Sequence, residues 1–360
     1  MKLRNVYLFF VLLGSLLIAA CGSGDSSSST SDGGSSSSTD EVIEMDVSNY
    51  NPSTHPWAEN VYEPWKQYVE EKTEGRVKVN LYHGGSLGGS DSVYQDVSGG
   101  MYDVGLVVAN YFYDTGFFPY TIGNLPFAFS SSKEAHDVLY EFASQYAEID
   151  DVIIMGATST DAYDLFSSRP IRSIDDLKGL KMRVNGKSEP PFVEAIGGTP
   201  ASLVTEQVYE GLERKTIDTA FYTPVGAVGM KLYEPAPYIT KLGFSVTPII
   251  PVMNKEFFES LPDDLKELFE KDLNPKLAEL FTTTYNSLVE ESYETLAKEV
   301  EGRGEIITLS DEEMQKFKEK GTVAWDNWKK DAEAKGYDAE EMVETFVKLL
   351  EEKGYESPFE

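Results

Sequence analysis

From Glu41 onward the sequence alternates short β-forming runs with amphipathic helical stretches, and this alternation constrains the fold more than any other feature. Arg76-Val-Lys-Val-Asn-Leu81 places Val77, Val79 and Leu81 on one face, the period of two that marks a strand. Asp103-Val-Gly-Leu-Val-Val108 and Val152-Ile-Ile-Met155 are unbroken apolar runs, the pattern of buried parallel strands. Between them Ser131 opens a helix, with Glu134 at the capping-box position and His136, Leu139, Tyr140 and Phe142 following at helical spacing. Ser173 with Asp176, Ser260 with Asp263 and Ser310 with Glu313 repeat that start signal. Lys255 to Glu301 reads as helix almost throughout, interrupted at Asn274-Pro275, where proline must kink or restart it. The expectation is α/β with mainly parallel sheets. With 360 residues, 41% of them hydrophobic, the chain has enough core for two lobes.

The N-terminal forty residues are of another kind. Lys2 and Arg4 precede an apolar run from Val6 to Ala20, too short for a comfortable membrane span and ending in small residues, which describes a signal peptide over 1–20. Cys21 follows directly, as in a bacterial lipoprotein whose cysteine becomes the lipidated first residue; the plainer alternative is a signal peptide with an incidental cysteine. The stretch GSGDSSSSTSDGGSSSSTD, completing 21–40, cannot bury a core and reads as a flexible tether. The expected location is therefore extracytoplasmic, held to the outer face of the membrane by a lipid anchor. Cys21 is the only cysteine, so no internal disulfide forms and no thiol remains for catalysis or zinc. Net charge is −30, and removing Lys2 and Arg4 makes it −32. Such a surface repels nucleic acid and anionic headgroups, and an anionic ligand would need local positive charge supplied by its site.

Catalytic patterns are missing from the sequence. His55, His83 and His136 have no metal-ligand spacing; His83 continues the Val77 face and reads as structural, His136 as a surface residue of its helix. Gly84-Gly-Ser-Leu-Gly-Gly89 lacks the P-loop lysine and is a turn signal before it is a phosphate cradle. No GxSxG occurs, and with 61 acidic residues no carboxylate pair is informative. No enzyme activity, metal or cofactor is expected.

Six stretches, in this order and spacing, carry a resemblance: YVEEKTEGRVKVNLYHGGSLGG (68–89), VSGGMYDVGLV (97–107), NLPFAF (124–129), RPIRSIDDLKGLKMRV (169–184), GGTPASLVTEQVYEGLERKTID (197–218) and VMNKEFFESLPDDLKELF (252–269). The chain resembles the substrate-binding proteins of tripartite ATP-independent periplasmic (TRAP) transporters over nearly all of its folded part. The resemblance implies a two-lobed, class II periplasmic-binding-protein-like fold with discontinuous lobes and a long bridging helix. Lobe one would take 41–160 plus 249–287, and lobe two 161–248 plus 288–360. It implies as partners a small organic acid ligand and the membrane permease subunits. A receptor serving an ATP-driven importer or a sensor kinase is the competing reading.

In the resembled family the arginine of the LKGLK-x-R strand pairs with the ligand's carboxylate, and Arg183 matches it. A planar guanidinium offers two parallel donors and so fixes a carboxylate in orientation as well as charge; the alternative is a solvated strand arginine. The sialic acid-binding members have a second arginine twenty residues upstream, where this chain has Tyr163. Tyr222 occupies the position of the family's ligand-binding asparagine. One cation fewer and two rings more favour a small or partly apolar monocarboxylate over a dicarboxylate or sugar acid. Loops after strands add His55, Trp57, Asn110 and Tyr111, and Thr205 precedes the "VY" helix; each could equally line the interlobe surface or the core.

Overall fold

Two sheets of six strands organise the protein, whose computed structural model describes residues 42–358. The expected signal peptide, Cys21 and the tether lie outside the described residues. In chain order the strands are β1 (Ile43–Ser48), β2 (Val77–Tyr82), β3 (Val104–Val108), β4 (Val152–Ile154), β5 (Thr158–Ser159) and β6 (Asp164–Ser167). They continue as β7 (Lys181–Val184), β8 (Thr199–Ser202), β9 (Thr219–Tyr222), β10 (Tyr238–Lys241), β11 (Pro248–Asn254) and β12 (Glu305–Thr308). The first sheet has the order β2-β1-β3-β11-β4, with β5 also on β11; the second has β12-β10-β6-β9-β7-β8.

Both sheets are mixed, which corrects the expectation of mainly parallel pairing. β1 runs parallel to β2 and β3, but β11 is antiparallel to β3, β4 and β5. In the second sheet β7 is parallel to β8 and β9, and β10 to β12, while β6 is antiparallel to β9 and β10. The reason lies in the connections. The chain passes between the sheets at 160–163 and at 242–247, so β6 and β11 each start at the end where their neighbours finish. The apolar run at 152–155, expected as a buried parallel strand, is an antiparallel edge strand for the same reason. β3 and β11 are buried at every position, which accounts for their lack of alternation.

Three of the four helix-start signals work as expected. Ser131 and Ser310 accept from the backbone N–H groups of Glu134 and Glu313, and the Ser173–Asp176 capping box forms in full, although it opens only the short turn Ile174–Leu177. Ser260 instead ends the helix Lys255–Ser260, its hydroxyl donating to Phe257 O. The helix Asp263–Leu268 begins after Pro262, whose fixed φ sets the first turn. Beyond a π-turn at Phe269–Leu273, a 26-residue helix restarts at Asn274–Glu299 with proline in its first turn. This long helix joins both halves. Phe281 meets Trp57 and Tyr62 edge-on, Thr282 Oγ1 lies 2.6 Å from Thr158 Oγ1, and Leu296 enters the core of the second sheet.

The two C-terminal helices reach from the second sheet's side towards the first. Helix Asp311–Ala334 begins there, with Glu313 accepting from Ile174 N at 3.0 Å. It ends against the segment after β3, where Trp328 stacks on Phe118 at 5.1 Å and donates to Thr121 Oγ1. Helix Ala339–Glu352 packs Phe346 on Phe129 and Phe142, both beside the first sheet. No helix among the described residues is long and apolar enough to cross a membrane.

Candidate ligand cleft

Strand β7 carries the residue on which the site turns. Lys181 is exposed while Arg183 is fully buried, at 0% exposure. A buried guanidinium requires partners for its donors. Nε donates to Leu203 O at 3.0 Å and Nη2 to Asn185 Oδ1 at 2.7 Å. Longer bonds run from Nη2 to Tyr111 OH (3.3 Å) and from Nη1 to Phe221 O (3.4 Å). The Tyr222 ring lies 5.8 Å from the guanidinium carbon. Burial works against the charge, but the surrounding Tyr111, Tyr163, Glu189 and Tyr222 more than offset it, and Arg183 stays protonated. Burial raises the Glu189 carboxyl above its ordinary value, although Arg183 and the Asn185 N–H oppose that rise.

Asn185, two residues beyond Arg183, links the cation to the next ring of groups. Its Nδ2 donates to Thr247 Oγ1 at 2.6 Å and to Tyr163 OH at 3.3 Å, and the Tyr163 and Thr247 hydroxyls bond to each other. Twenty residues upstream of Arg183 this chain thus has a phenol already bonded to a threonine and an amide. Tyr163 and Tyr222 lie parallel at 6.4 Å.

These groups border a cavity of about 30 Å³ between the two halves, lined by Tyr50, Asn51, His55, Trp57, Tyr163, Asn185, Thr205, Tyr222, Thr223, Thr247 and Tyr285, among others. Of the expected site residues, His55, Trp57, Tyr163, Thr205 and Tyr222 reach this lining. Arg183 and Tyr111 lie directly behind it, bonded to Asn185 and to Thr205 N. Asn110 stands apart: it is 2% exposed, both its amide atoms lack partners, and its backbone and Cβ press on Gly186, where an added Cβ would come within 2.7 Å. Asn185 shares Arg183's side of the strand by the period of two, and that signal was available in the sequence. Tyr285 and Thr247 had none, since only the fold brings the long helix and the second crossing to the cleft.

The cleft's charge is set by burial. His55 accepts from Trp57 N through Nδ1, and burial lowers its pKa to about 3, so it is neutral near pH 7. Trp57 Nε1 donates to Tyr285 OH at 3.0 Å. Burial pushes Tyr111 up to about 12, against the pull of Arg183. Arg183 is thus the cation of the site. Among the described residues, no group of three or more His, Cys, Asp or Glu is placed to hold a metal.

Bonds across the cleft hold its walls together. Ser90, at the end of the glycine-rich turn, donates from N and Oγ to the two oxygens of Glu206, at 2.8 and 2.7 Å. Lys187 pairs with Asp114, and Tyr111 OH accepts from Thr205 N at 3.1 Å.

Residues 47–331 match the model of the family described as bacterial extracellular solute-binding protein, family 7. The chain belongs to that family. It is one of solute-binding proteins, not enzymes, and its members are extracytoplasmic. Among curated relatives, the 2,3-diketo-L-gulonate-binding periplasmic protein YiaO of Escherichia coli is 27% identical over 209 residues, 55% of this chain and 62% of that protein. The first curated relatives are matched over only 62 to 67% of their own length. A TRAP periplasmic solute-binding protein from Desulfovibrio salexigens, in an open complex, superposes with TM-score 0.71 at 28% identity, covering 88% of this chain and 98% of that one. A marine metagenome TRAP protein specific for aromatic acid ligands superposes with TM-score 0.80 at 24% identity, covering 87% and 99%, and shares the two-lobed fold.

Proposed function

We propose that this solute-binding protein is the receptor of a TRAP transporter, capturing a small organic acid between its lobes and delivering it to membrane permease subunits. The observation that carries this reading is Arg183, a fully buried cation behind a small cavity walled by hydroxyls and amides. On ligand entry the bonds from Nη2 to Asn185 Oδ1 and Tyr111 OH are the ones exchanged for a carboxylate, since those partners are side chains and not backbone carbonyls. The Leu203 and Phe221 carbonyls keep the guanidinium plane fixed meanwhile. A cavity this small requires the lobes to part as the ligand enters, and compact acids then fit with the least rearrangement. The aromatic acids bound by the marine relative fit the same reasoning, because Trp57, Tyr163 and Tyr222 present rings to the cavity. The neutral His55 and the lone guanidinium favour one carboxylate over two.

Calorimetric titration of small monocarboxylates, dicarboxylates and sugar acids tests this. At least one monocarboxylate should bind, and Arg183→Lys, which keeps the charge but loses the two-pronged donor, should weaken it by about a hundredfold. A panel in which no acid binds, or a lysine variant that binds normally, overturns the reading. Anchoring through lipid on Cys21 belongs to the same proposal, and Cys21→Ser should move the protein from the membrane fraction to the soluble one.

A further inference from the structure

Resting on that carboxylate reading, we propose that the ligand carries an O–H or N–H donor on the same small skeleton, and that Asp161 accepts from it. Asp161 is a buried carboxylate with part of its bonding capacity unused. It is 4% exposed, and Oδ2 accepts from Val225 N at 3.1 Å. The Thr223 hydroxyl and the Asp161 N–H lie near enough to favour its charge, but neither reaches Oδ1 in hydrogen-bond geometry. Buried carboxylate oxygens are ordinarily satisfied, so one that is not requires an explanation.

Capping the adjacent helix does not supply it. The helix Pro224–Gly229 already has its cap in Thr223, which accepts from Gly226 N at 2.8 Å, and the contact with Val225 uses only Oδ2. Asp161 does not itself line the cavity but sits directly behind its wall. Its neighbours in sequence and space, Thr160 and Thr223, line the cavity, and its charge acts on Tyr222 and Tyr285, which line it too. A second unpartnered acceptor, Asn51 Oδ1, belongs to the same lining, on a residue 1% exposed. Of the eight unpartnered buried side-chain atoms among the described residues, one belongs to Asn51 in the cavity lining and one to Asp161 beside it.

The cleft therefore has two ends of opposite character, with Tyr222 beside both. Arg183 with Asn185 and Tyr111 offers donors; Asp161 with Asn51 offers acceptors. Burial raises the Asp161 carboxyl to about 7, and a donor at Oδ1 would favour its ionised form. The complementary ligand is a hydroxy, amino or lactam acid, with its donor a few bonds from the carboxylate.

Matched pairs of acids test the assignment by calorimetry on the mature protein: lactate against propionate, mandelate against phenylacetate, and pyroglutamate against cyclopentanecarboxylate. In at least one pair the donor-bearing acid should bind about tenfold tighter, because its absence leaves Oδ1 unpaired. Asp161→Asn, near-isosteric but bringing an amide donor to that site, should shrink the preference within the pair to about threefold or less. Equal affinities within every pair for the unmodified protein overturn the proposal without recourse to any variant, and so does a preference that survives in Asp161→Asn. If donor-free acids bind through Arg183 and no preference exists, this proposal alone falls. If no acid binds, the carboxylate reading falls and takes this one with it.

Discussion

Arg183 and His55 show how burial turns common side chains into specific ones. Four hydrogen bonds orient the guanidinium, and its register in the LKGLK-x-R strand was legible in the sequence. Its distance behind the wall was not, because that depends on Asn185 and Tyr111, side chains brought in by the sequence neighbour and by the other lobe. His55 was legible only as a loop residue. Its neutrality follows from enclosure by Trp57 and the Pro56–Gly229 contact, which no local pattern reports. That enclosure has a consequence for acid stability. The imidazole titrates near 6.5 when unfolded and near 3 when folded, so the folded state binds fewer protons between those values. Stability from this group is complete above pH 6.5 and is lost as pH falls towards 3, by up to about 5 kcal/mol at 1.36 kcal/mol per pH unit. Asp161 acts in the opposite direction, since its raised pKa makes it destabilising above about 7 and harmless below about 4. His55→Asn keeps an acceptor for Trp57 N and removes the titration. Urea unfolding at pH 7 and pH 4.5 should show the variant losing about 1–3 kcal/mol less than the parent on acidification.

At the scale of elements, the alternation of strands and helices gave the fold class, and local rules failed where the chain changed sheets. Nothing in Val152–Ile154 distinguishes an antiparallel edge from a parallel centre, because pairing partners arrive about a hundred residues later in β11. Ser260 and Asp263 have capping-box spacing, yet Pro262 between them fixes the turn first. The glycine-rich turn at 84–89 was legible as a turn and nothing more. Gly84 and Gly85 adopt φ of +70° and +68°, which suits glycine, and the turn delivers Ser90 to Glu206 on the opposite wall. Two bonds to a carboxylate form only when the walls meet, so they stabilise the closed arrangement and slow ligand escape. Glu206→Ala should raise the dissociation rate by about tenfold or more, at 1.5–3 kcal/mol for a bond to a charged group. The association rate should change little. Stopped-flow tryptophan fluorescence reads both, with Trp57 in the cavity wall as reporter.

The whole molecule sets an electrostatic problem for its own ligand. The sequence has a net charge of −30, while the proposed ligand is an anion and the cleft's cation is fully buried. Arg183 is therefore effective only at short range, whereas the acidic surface acts over the distance at which ligand first arrives. At 10 mM salt the screening length is about 30 Å, comparable to a lobe, and at 150 mM it is about 8 Å. Repulsion from the surface should thus dominate the encounter at low salt and fade as salt rises. The association rate for a bound monocarboxylate should increase by about two- to fivefold between those concentrations. The dissociation rate should stay nearly constant, because the Arg183 contact is desolvated and poorly screened. Stopped-flow binding across a sodium chloride series checks it. An association rate that falls with salt would mean that Lys187 and Arg183 draw the anion in despite the surface charge, and that the acidity serves something other than ligand traffic.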